Sequence, residues 1–287
     1  MKKIFLFIAV AAMSITASAM DLWTGSKHVS FDEGGGLQIA ADQFAAAQPG
    51  NLLKVHFTGA TDGIEFKVMN ASFDHLAGSR EAAWIDGDGD FKQYLTQTAV
   101  DSLKAYGLEI IGANFTCTKV ELLESKTLKE GFTVWTGFFW ADNWTTLELY
   151  YNGYAGVDWS KATALRIYSE AGRSDFVINV ILNAWPDQGG ENVANQEAMT
   201  AGEGYMELPL TDELRTKLAE ASKWMIQFNQ ESGKPFNVTD IVIVMKEGPS
   251  TAIDNTVMGE KAVKTFENGQ LVIIKNGVKY NALGAQL

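Results

Sequence analysis

Aromatic residues beside amide and carboxylate side chains are the part of this sequence best suited to chemistry. The stretch FFWADNWTTLELYYNGY, residues 138–154, holds Trp140, Trp144 and Tyr151 among further tyrosines. Such rings stack on the apolar C–H faces of sugars, while the sugar hydroxyls bond to neighbouring amides and carboxylates. This density of rings exceeds what a core strand needs, so it indicates a surface that binds carbohydrate.

Three further segments combine an aromatic ring with polar neighbours. NAWPDQ (residues 183–188) sets a tryptophan beside an amide and a carboxylate, and NASFDH (70–75) and REAAWID (80–86) are its counterparts in the first half. Burial in a small core is the competing interpretation for these rings. The predicted ligand-binding residues are Trp140, Trp144, Tyr151, Trp185, Asn183, Asp187, Phe73, Trp84 and Arg80.

The stretch DGDGD alternates three carboxylates, Asp86, Asp88 and Asp90, with glycine. A flexible loop of this kind converges oxygen ligands on Ca²⁺, although the bidentate glutamate of a complete EF-hand loop is missing. The second half carries TAGEG instead. A structural Ca²⁺ is therefore the one cofactor that the sequence suggests, and a solvated acidic turn is the alternative.

Catalytic signatures are missing from the sequence. It contains no G-x-S-x-G, H-E-x-x-H, P-loop or dinucleotide-binding motif, and GGGLQ (residues 34–38) lacks the lysine that phosphate binding needs, which indicates a loop. His28, His56 and His75 lie too far apart for a ligand pair. No catalytic residue is predicted, but two carboxyls facing each other across a cleft would suffice for glycoside hydrolysis.

The first twenty residues, MKKIFLFIAVAAMSITASAM, have the form of a secretory signal with cleavage after Ala19. No lipid-attachment cysteine follows the cleavage site, so we expect a secreted or cell-surface protein with no membrane insertion. The formal charge is −12, and it falls to −14 when Lys2 and Lys3 leave with the signal. Such a charge repels nucleic acid and anionic membranes, and the single Cys117 excludes an intramolecular disulfide.

A duplication organises the chain. LWTG (residues 22–25) recurs as VWTG (134–137) at an offset of 112, and three more landmark pairs follow in the same order. They are IEFKVMNASFD with VINVILNAWPD, DGDFKQYLT with EGYMELPLT, and NFTCTKVELLE with PFNVTDIVIVMKE. The offset grows steadily along the chain, as insertions in loops would cause, so the halves are predicted to be two copies of one domain. Trp23 and Trp135, at matching points of the copies, are expected to be buried.

Each half is predicted to consist mainly of short strands, with one helix that begins after Thr96 or Thr211. The predicted fold class is all-β, with two tandem β-sandwich domains of the jelly-roll or galactose-binding-like kind, each with a short helix. A C-terminal β-hairpin follows, turning at Asn276-Gly277. The predicted boundaries are 1–19 for the signal peptide, 20–125 and 131–248 for the two modules, and 256–287 for the C-terminal segment.

The pattern LWTG, LKVHFTG, FKVMNASFD and YLTQTAVDSLKAYGLEIIGANFTCTKVELLE resembles β-sandwich modules of the galactose-binding-like and carbohydrate-binding-module type. Such modules occur in exported proteins of Bacteroides and Prevotella relatives, often beside glycoside hydrolase domains. ENGQLVIIKNGVKYNALGAQL is similar to the sorting tails of those bacteria, which implies an outer-membrane secretion system as a partner. The second copy departs from the pattern, with Trp224 in place of Leu108 and a longer NQESGKP loop.

The resulting hypothesis is non-catalytic binding of a polysaccharide or oligosaccharide by an exported bacterial protein. A secreted glycoside hydrolase is the first alternative, and it predicts two carboxyls facing across an aromatic groove. A surface structural or adhesive protein is the second, and it predicts exposed aromatic residues scattered over the surface.

Overall fold

The computed structural model describes residues 19–60, 64–79, 83–85, 87–170, 176–198, 200–202, 204–230, 234–246, 263–267, 270–275 and 278–281. The predicted signal peptide, Arg80 and Asp86 lie outside these ranges. The chain divides into two compact units after Lys246. Within the first unit there are two β-sandwiches, and the module boundaries given above remain predictions.

The first sandwich consists of two antiparallel sheets of four strands each. Sheet I has the strand order β1-β8-β3-β6 and sheet II has the order β2-β7-β4-β5. Its elements are β1 (Met20–Val29), β2 (Leu37–Ile39), β3 (Asn51–Thr58), β4 (Ile64–Asn70), β5 (Ala83–Ile85), β6 (Gly89–Tyr94), α1 (Gln97–Tyr106), β7 (Leu108–Gly112) and β8 (Phe115–Ser125), with a 3₁₀ turn at Ala41–Phe44.

The second sandwich repeats this plan. Sheet III has the order β14-β15-β11-β17-β9 and sheet IV has the order β10-β16-β12-β13. Its elements are β9 (Phe132–Ala141), β10 (Thr145–Tyr150), β11 (Ala162–Ser169), β12 (Phe176–Leu182), β13 (Glu191–Ala198), β14 (Thr200–Gly202), β15 (Tyr205–Pro209), α2 (Asp212–Glu220), β16 (Lys223–Gln230) and β17 (Phe236–Met245), with 3₁₀ turns at Tyr151–Gly153 and Pro186–Gln188.

Strand order confirms the predicted fold class of two tandem β-sandwiches, each with a short helix. Sheets I and III have the same strand order, with β9, β17, β11 and β15 in the places of β1, β8, β3 and β6. Strand β14 is an additional strand at the edge of sheet III. Sheets II and IV correspond in the same way. The helix starts also match, because the hydroxyls of Thr96 and Thr211 accept hydrogen bonds from the N–H groups of Ala99 and Leu214.

The repeated Trp-Thr-Gly motif is a packing device. Trp135 is 5% exposed in the second core, and Trp23 is partly buried against the first. Each indole lies over the glycine two residues later, since a Cβ on Gly25 or Gly137 would lie 2.7 or 2.9 Å from Cζ2 of its tryptophan. The predicted burial is therefore correct for Trp135 and partial for Trp23.

A partly buried ion pair ties the connection between the sandwiches to sheet III. Lys126 Nζ lies 2.9 Å from Asp240 Oδ1, which also accepts a hydrogen bond of 2.7 Å from the hydroxyl of Thr136. The ammonium group is 4.9 Å from the ring centroid of Tyr94 in β6. The polar connection of residues 125–131 is thus anchored to both sandwiches.

The C-terminal unit is an antiparallel sheet of three strands, β18 (Val263–Glu267), β19 (Gln270–Lys275) and β20 (Val278–Asn281). The predicted hairpin corresponds to β19 and β20, and β18 is an additional strand. Its role in secretion remains a prediction. In the described part of the chain, no helix is long and apolar enough to span a bilayer.

Candidate functional site

Three of the binding rings predicted in the second sandwich are well exposed. Trp140 points outward from β9 and is 59% exposed, with Asn237 opposite it on β17. Trp144 ends the turn before β10 in a left-handed conformation with φ 61°, and Tyr151 opens the 3₁₀ turn after β10. About half of each of these two side chains is exposed. Burial in a core is therefore excluded for all three.

The loop after β12 carries Trp185, Asn183 and Asp187 together. Asn183 has a left-handed backbone, with φ 66°, and its Oδ1 accepts hydrogen bonds from the N–H and hydroxyl of Ser222 at 2.8 and 3.0 Å. Trp185 is partly buried, and Asp187 is exposed in the following 3₁₀ turn. Asn183 thus fixes the loop, which leaves Trp185 and Asp187 as its candidate contacts.

Phe73 lies on the corresponding loop of the first sandwich. It is 58% exposed and has a left-handed backbone, with φ 64°. The Asn70 side chain holds this loop, since its Oδ1 accepts hydrogen bonds from the N–H groups of Ser72 and Asp74 at 2.9 and 3.1 Å. Trp84 lies at the centre of β5, opposite Glu65 on β4. Arg80 falls outside the described residues.

The two described aspartates of the predicted calcium site have different partners. Asp88 accepts a hydrogen bond of 3.1 Å from the N–H of Ala60, whereas Asp90 contacts Lys54 at 2.9 Å and His56 at 2.7 Å. Burial acts to raise the pKa of Asp90, but the hydrogen bond from Lys54 and the charge of His56 outweigh this effect and lower the pKa. Among the described residues, no three acidic, histidine or cysteine side chains are grouped as metal ligands would be. Because Asp86 is not described, the calcium site remains a prediction.

A pocket of about 390 Å³ lies on the outer face of sheet II, between the loop before β2 and the loop after β4. Its two exposed rings are Phe31, which is 51% exposed, and Phe73. Carboxylates, glycines and one amide supply most of the remaining wall. The lining residues are Phe31, Asp32, Glu33, Gly34, Gly36, Gln38, Phe73, Glu109 and Ile111.

Sheet topology places the two phenylalanines at opposite ends of this pocket. Strands β2 and β4 both run antiparallel to β7, so they point in the same direction. β2 begins opposite Ile110, whereas β4 ends opposite Leu108. The loop that carries Phe31 enters at one end of the sheet, and the loop that carries Phe73 leaves at the other.

Glu109 on β7 supplies a buried carboxylate to the pocket. It is 3% exposed, and among the described residues its Oε2 has no hydrogen-bond partner. Burial raises the pKa of this carboxyl group, although a hydrogen bond from Gln38 and the charge of Lys27 act in the opposite direction. A buried acceptor without a partner is costly, so a ligand that donates a hydrogen bond would be favoured here.

Gly36 makes room for this carboxylate. A Cβ at this position would collide with Oε1 of Glu109. The glycine run that the sequence analysis assigned to a simple loop therefore has a specific role at Gly36, although not the phosphate binding that was rejected.

Sequence reasoning missed Phe31, Gly36, Gln38 and Glu109. The available signal was a single charge at Glu109 within the otherwise apolar strand LEIIG, directly opposite Gln38. Only the strand pairing shows that these two side chains share a face with each other and lie between two phenylalanines.

The second sandwich carries tryptophans on the equivalent loops. Trp144 directly precedes β10, and its backbone N–H donates to the carbonyl of Phe228. Trp185 follows β12, which ends opposite Trp224. The two loops thus flank β16 at opposite ends, as the loops of Phe31 and Phe73 flank β7. Each sandwich therefore has one aromatic residue at each end of the corresponding sheet, which is sheet II in the first sandwich and sheet IV in the second.

No family model and no curated protein matches this sequence. Among solved structures, it is similar to SGBP-B of the Bacteroides ovatus mixed-linkage glucan utilization locus, in complex with a mixed-linkage heptasaccharide, at 20% identity and a TM-score of 0.33. That match covers 36% of this chain and only 30% of SGBP-B, so the chain spans less than a third of that protein.

Two further solved structures match over most of the chain. The CBM22-1-CBM22-2 tandem domain of Paenibacillus barcinonensis Xyn10C is 11% identical, with a TM-score of 0.27, and the match covers 82% of this chain and 100% of that one. A putative secreted protein from Parabacteroides distasonis is 10% identical, with a TM-score of 0.19, over 81% and 90% of the two chains. All three TM-scores are low, so the site itself must indicate the ligand.

Proposed function

We propose that this protein is exported and binds polysaccharide without cleaving it, with the pocket between Phe31 and Phe73 as its principal site. The observation that carries the proposal is the combination of two exposed rings with one buried, unsatisfied carboxylate oxygen on Glu109. Sugars present apolar C–H faces and hydroxyl donors on the same molecule, which matches this combination. Trp144 and Trp185 are proposed as the corresponding contacts of the second sandwich.

Charge supports a neutral ligand. Asp32, Glu33 and Glu109 all line the pocket, and the chain as a whole carries a formal charge of −12. Anionic ligands would be repelled at such a site, whereas an uncharged glycan meets no such barrier.

The test is affinity electrophoresis of the purified protein in gels that contain xylan, mixed-linkage β-glucan, xyloglucan, galactomannan or mucin. We expect one or more of these glycans to retard the wild-type protein. Phe31→Ala, Phe73→Ala and Glu109→Gln should each weaken retardation by about tenfold, because each removes a stacking surface or a charged acceptor.

Phe138→Ala is the matched control, because Phe138 is 67% exposed on β9 of sheet III, which does not form the pocket. It should bind as the wild type does. Retention that is unchanged in all three pocket variants would refute the site, and retention by none of the glycans would refute the function in favour of a structural or adhesive protein.

A glycoside hydrolase is the second candidate, and one observation favours it. The raised pKa of Glu109 suits a general acid, and Asp32 and Glu33 line the same pocket as candidates for the second carboxyl group. The Ser30 hydroxyl donates to Asp32 at 3.0 Å, so this carboxylate already has a partner in the loop. Release of reducing ends from a retained glycan, lost in Glu109→Gln, would establish hydrolysis; retention without release supports binding alone.

A further inference from the structure

The outer face of sheet II presents a row of side chains that crosses three strands. Gln38 on β2 lies opposite Glu109 on β7, and Glu109 lies opposite Met69 on β4. The alternate residues Phe66 and Val68 belong to the core, so Met69 lies on the other face of the sheet with its two neighbours, where it is 9% exposed. Two members of this row, Gln38 and Glu109, line the pocket described above.

His75 continues the row beyond β4. It forms an antiparallel bridge with Met69, and residues paired in this way point to the same face of a sheet. The imidazole ring then stacks on Tyr150 of the second sandwich, with the ring centroids 4.5 Å apart and an angle of 13° between the planes.

Tyr150 belongs to the outer face of sheet IV. Leu147 and Leu149 of β10 lie in the core, so Glu148 and Tyr150 face outward. The Tyr150 hydroxyl donates to Glu148 Oε2 at 3.0 Å, and Lys223, opposite Tyr150 on β16, lies 3.1 Å from Glu148 Oε1. The outer faces of sheets II and IV therefore meet at the stack of His75 on Tyr150.

From this continuity we infer that sheets II and IV form one extended binding surface, which takes an internal stretch of a long polysaccharide chain across both sandwiches. The inference rests on the proposed function of the pocket. The row from Gln38 to Lys223 comprises four steps between neighbouring strands or segments of about 4.8 Å each, plus the ring stack, so it extends over roughly 24 Å. Beyond the pocket, it offers hydrogen-bonding side chains at Glu148 and Lys223.

The test measures affinity against chain length by titration calorimetry of the full chain. The probes are oligosaccharides, from disaccharide to decasaccharide, cut from a polysaccharide that retards the protein. We expect affinity to rise with length until the pocket is filled and then to rise by a further tenfold or so as the chain reaches sheet IV. Tyr150→Ala and Lys223→Met should each abolish the second rise.

The controls separate this inference from the function on which it rests. Tyr168→Ala alters a tyrosine on β11 of the opposite sheet, III, and should keep both rises of affinity with chain length. Thermal unfolding shows whether Tyr150→Ala remains folded. Affinity that levels off once the pocket is filled, or a second rise that survives in both Tyr150→Ala and Lys223→Met, would overturn the extended surface. The pocket would still stand as the principal site if Phe73→Ala weakened binding of the shortest oligosaccharides. If Phe73→Ala did not weaken it, the assignment of this pocket would fail, whereas retention of the polysaccharide itself would still support the proposed function.

Discussion

Among the described residues, Glu109 differs from the other buried carboxylates, Glu121 and Asp240, in forming no salt bridge. On the outer face of sheet I, Glu121 contacts Lys119 and His56, and these partners lower its pKa against the effect of burial. Glu109 has one amide neighbour and a free oxygen. A group that weakens the fold and points into a pocket is typical of a binding site, because a ligand then supplies the missing bond.

The pH dependence of stability should reveal how much the buried Glu109 carboxylate destabilises the fold. Burial raises the pKa of Glu109, so its stabilising effect is present below the ordinary carboxyl pKa and is lost as pH rises through the folded-state value. Glu109→Gln should therefore increase the free energy of unfolding by about 1 kcal/mol at pH 7, and by less as pH falls towards about 4. Urea unfolding at both pH values measures the difference.

The opposite pattern would contradict this account of Glu109. If Glu109→Gln destabilised the protein at pH 7 and the deficit shrank in acid, the carboxylate would be a stabilising structural anion rather than an unsatisfied acceptor.

At the scale of elements, the Trp-Thr-Gly motif fixes the first strand of each sandwich. The indole of Trp135 covers Gly137, where a Cβ would lie 2.9 Å from the ring. Any side chain at that glycine must displace a core tryptophan.

Gly137→Ala should therefore lower the free energy of unfolding by about 1 to 3 kcal/mol, as overpacking of a filled core does. Gly89→Ala is the control, because an added Cβ there meets no atom within 4 Å and the glycine has no positive φ. Thermal unfolding compares the two variants; equal melting temperatures would show that the motif does not determine packing.

Sequence reasoning succeeded where the information was local. Alternating apolar residues indicated the strands, Thr96 and Thr211 marked both helix starts, and the repeated motif marked the duplication. It failed where the information lay in pairing between strands. Nothing adjacent to Glu109 in sequence identifies Gln38, Gly36 or Phe31 as its neighbours, since the separate segments that contain β2 and β7 must first pair in sheet II.

The exposed aromatic residues were only partly predicted for the same reason. Trp140, Trp144, Tyr151 and Phe73 are exposed as expected, but Phe31 was not recognised beside an acidic glycine-rich loop. Which rings share a pocket depends on loop positions at the two ends of a sheet, and single-sequence patterns do not contain that information.

At the scale of the whole molecule, the repeated strand order explains how two unlike candidate sites share one arrangement. The same two loops carry Phe31 and Phe73 in the first sandwich and Trp144 and Trp185 in the second, whereas a buried carboxylate with a free oxygen is described on this sheet face only in the first. The two sandwiches have aromatic residues at matching positions of their common strand order, whereas the residues between these positions differ. We therefore expect the first sandwich to fix the ligand and the second to extend its reach.

The most direct test of the central claim is a crystal structure of the protein with an oligosaccharide of a glycan that it retains. The account predicts sugar rings against Phe31 and Phe73, with a sugar hydroxyl donating to Oε2 of Glu109. Density for the sugar at Trp140 or at another surface, with the pocket on sheet II containing only solvent, would contradict it.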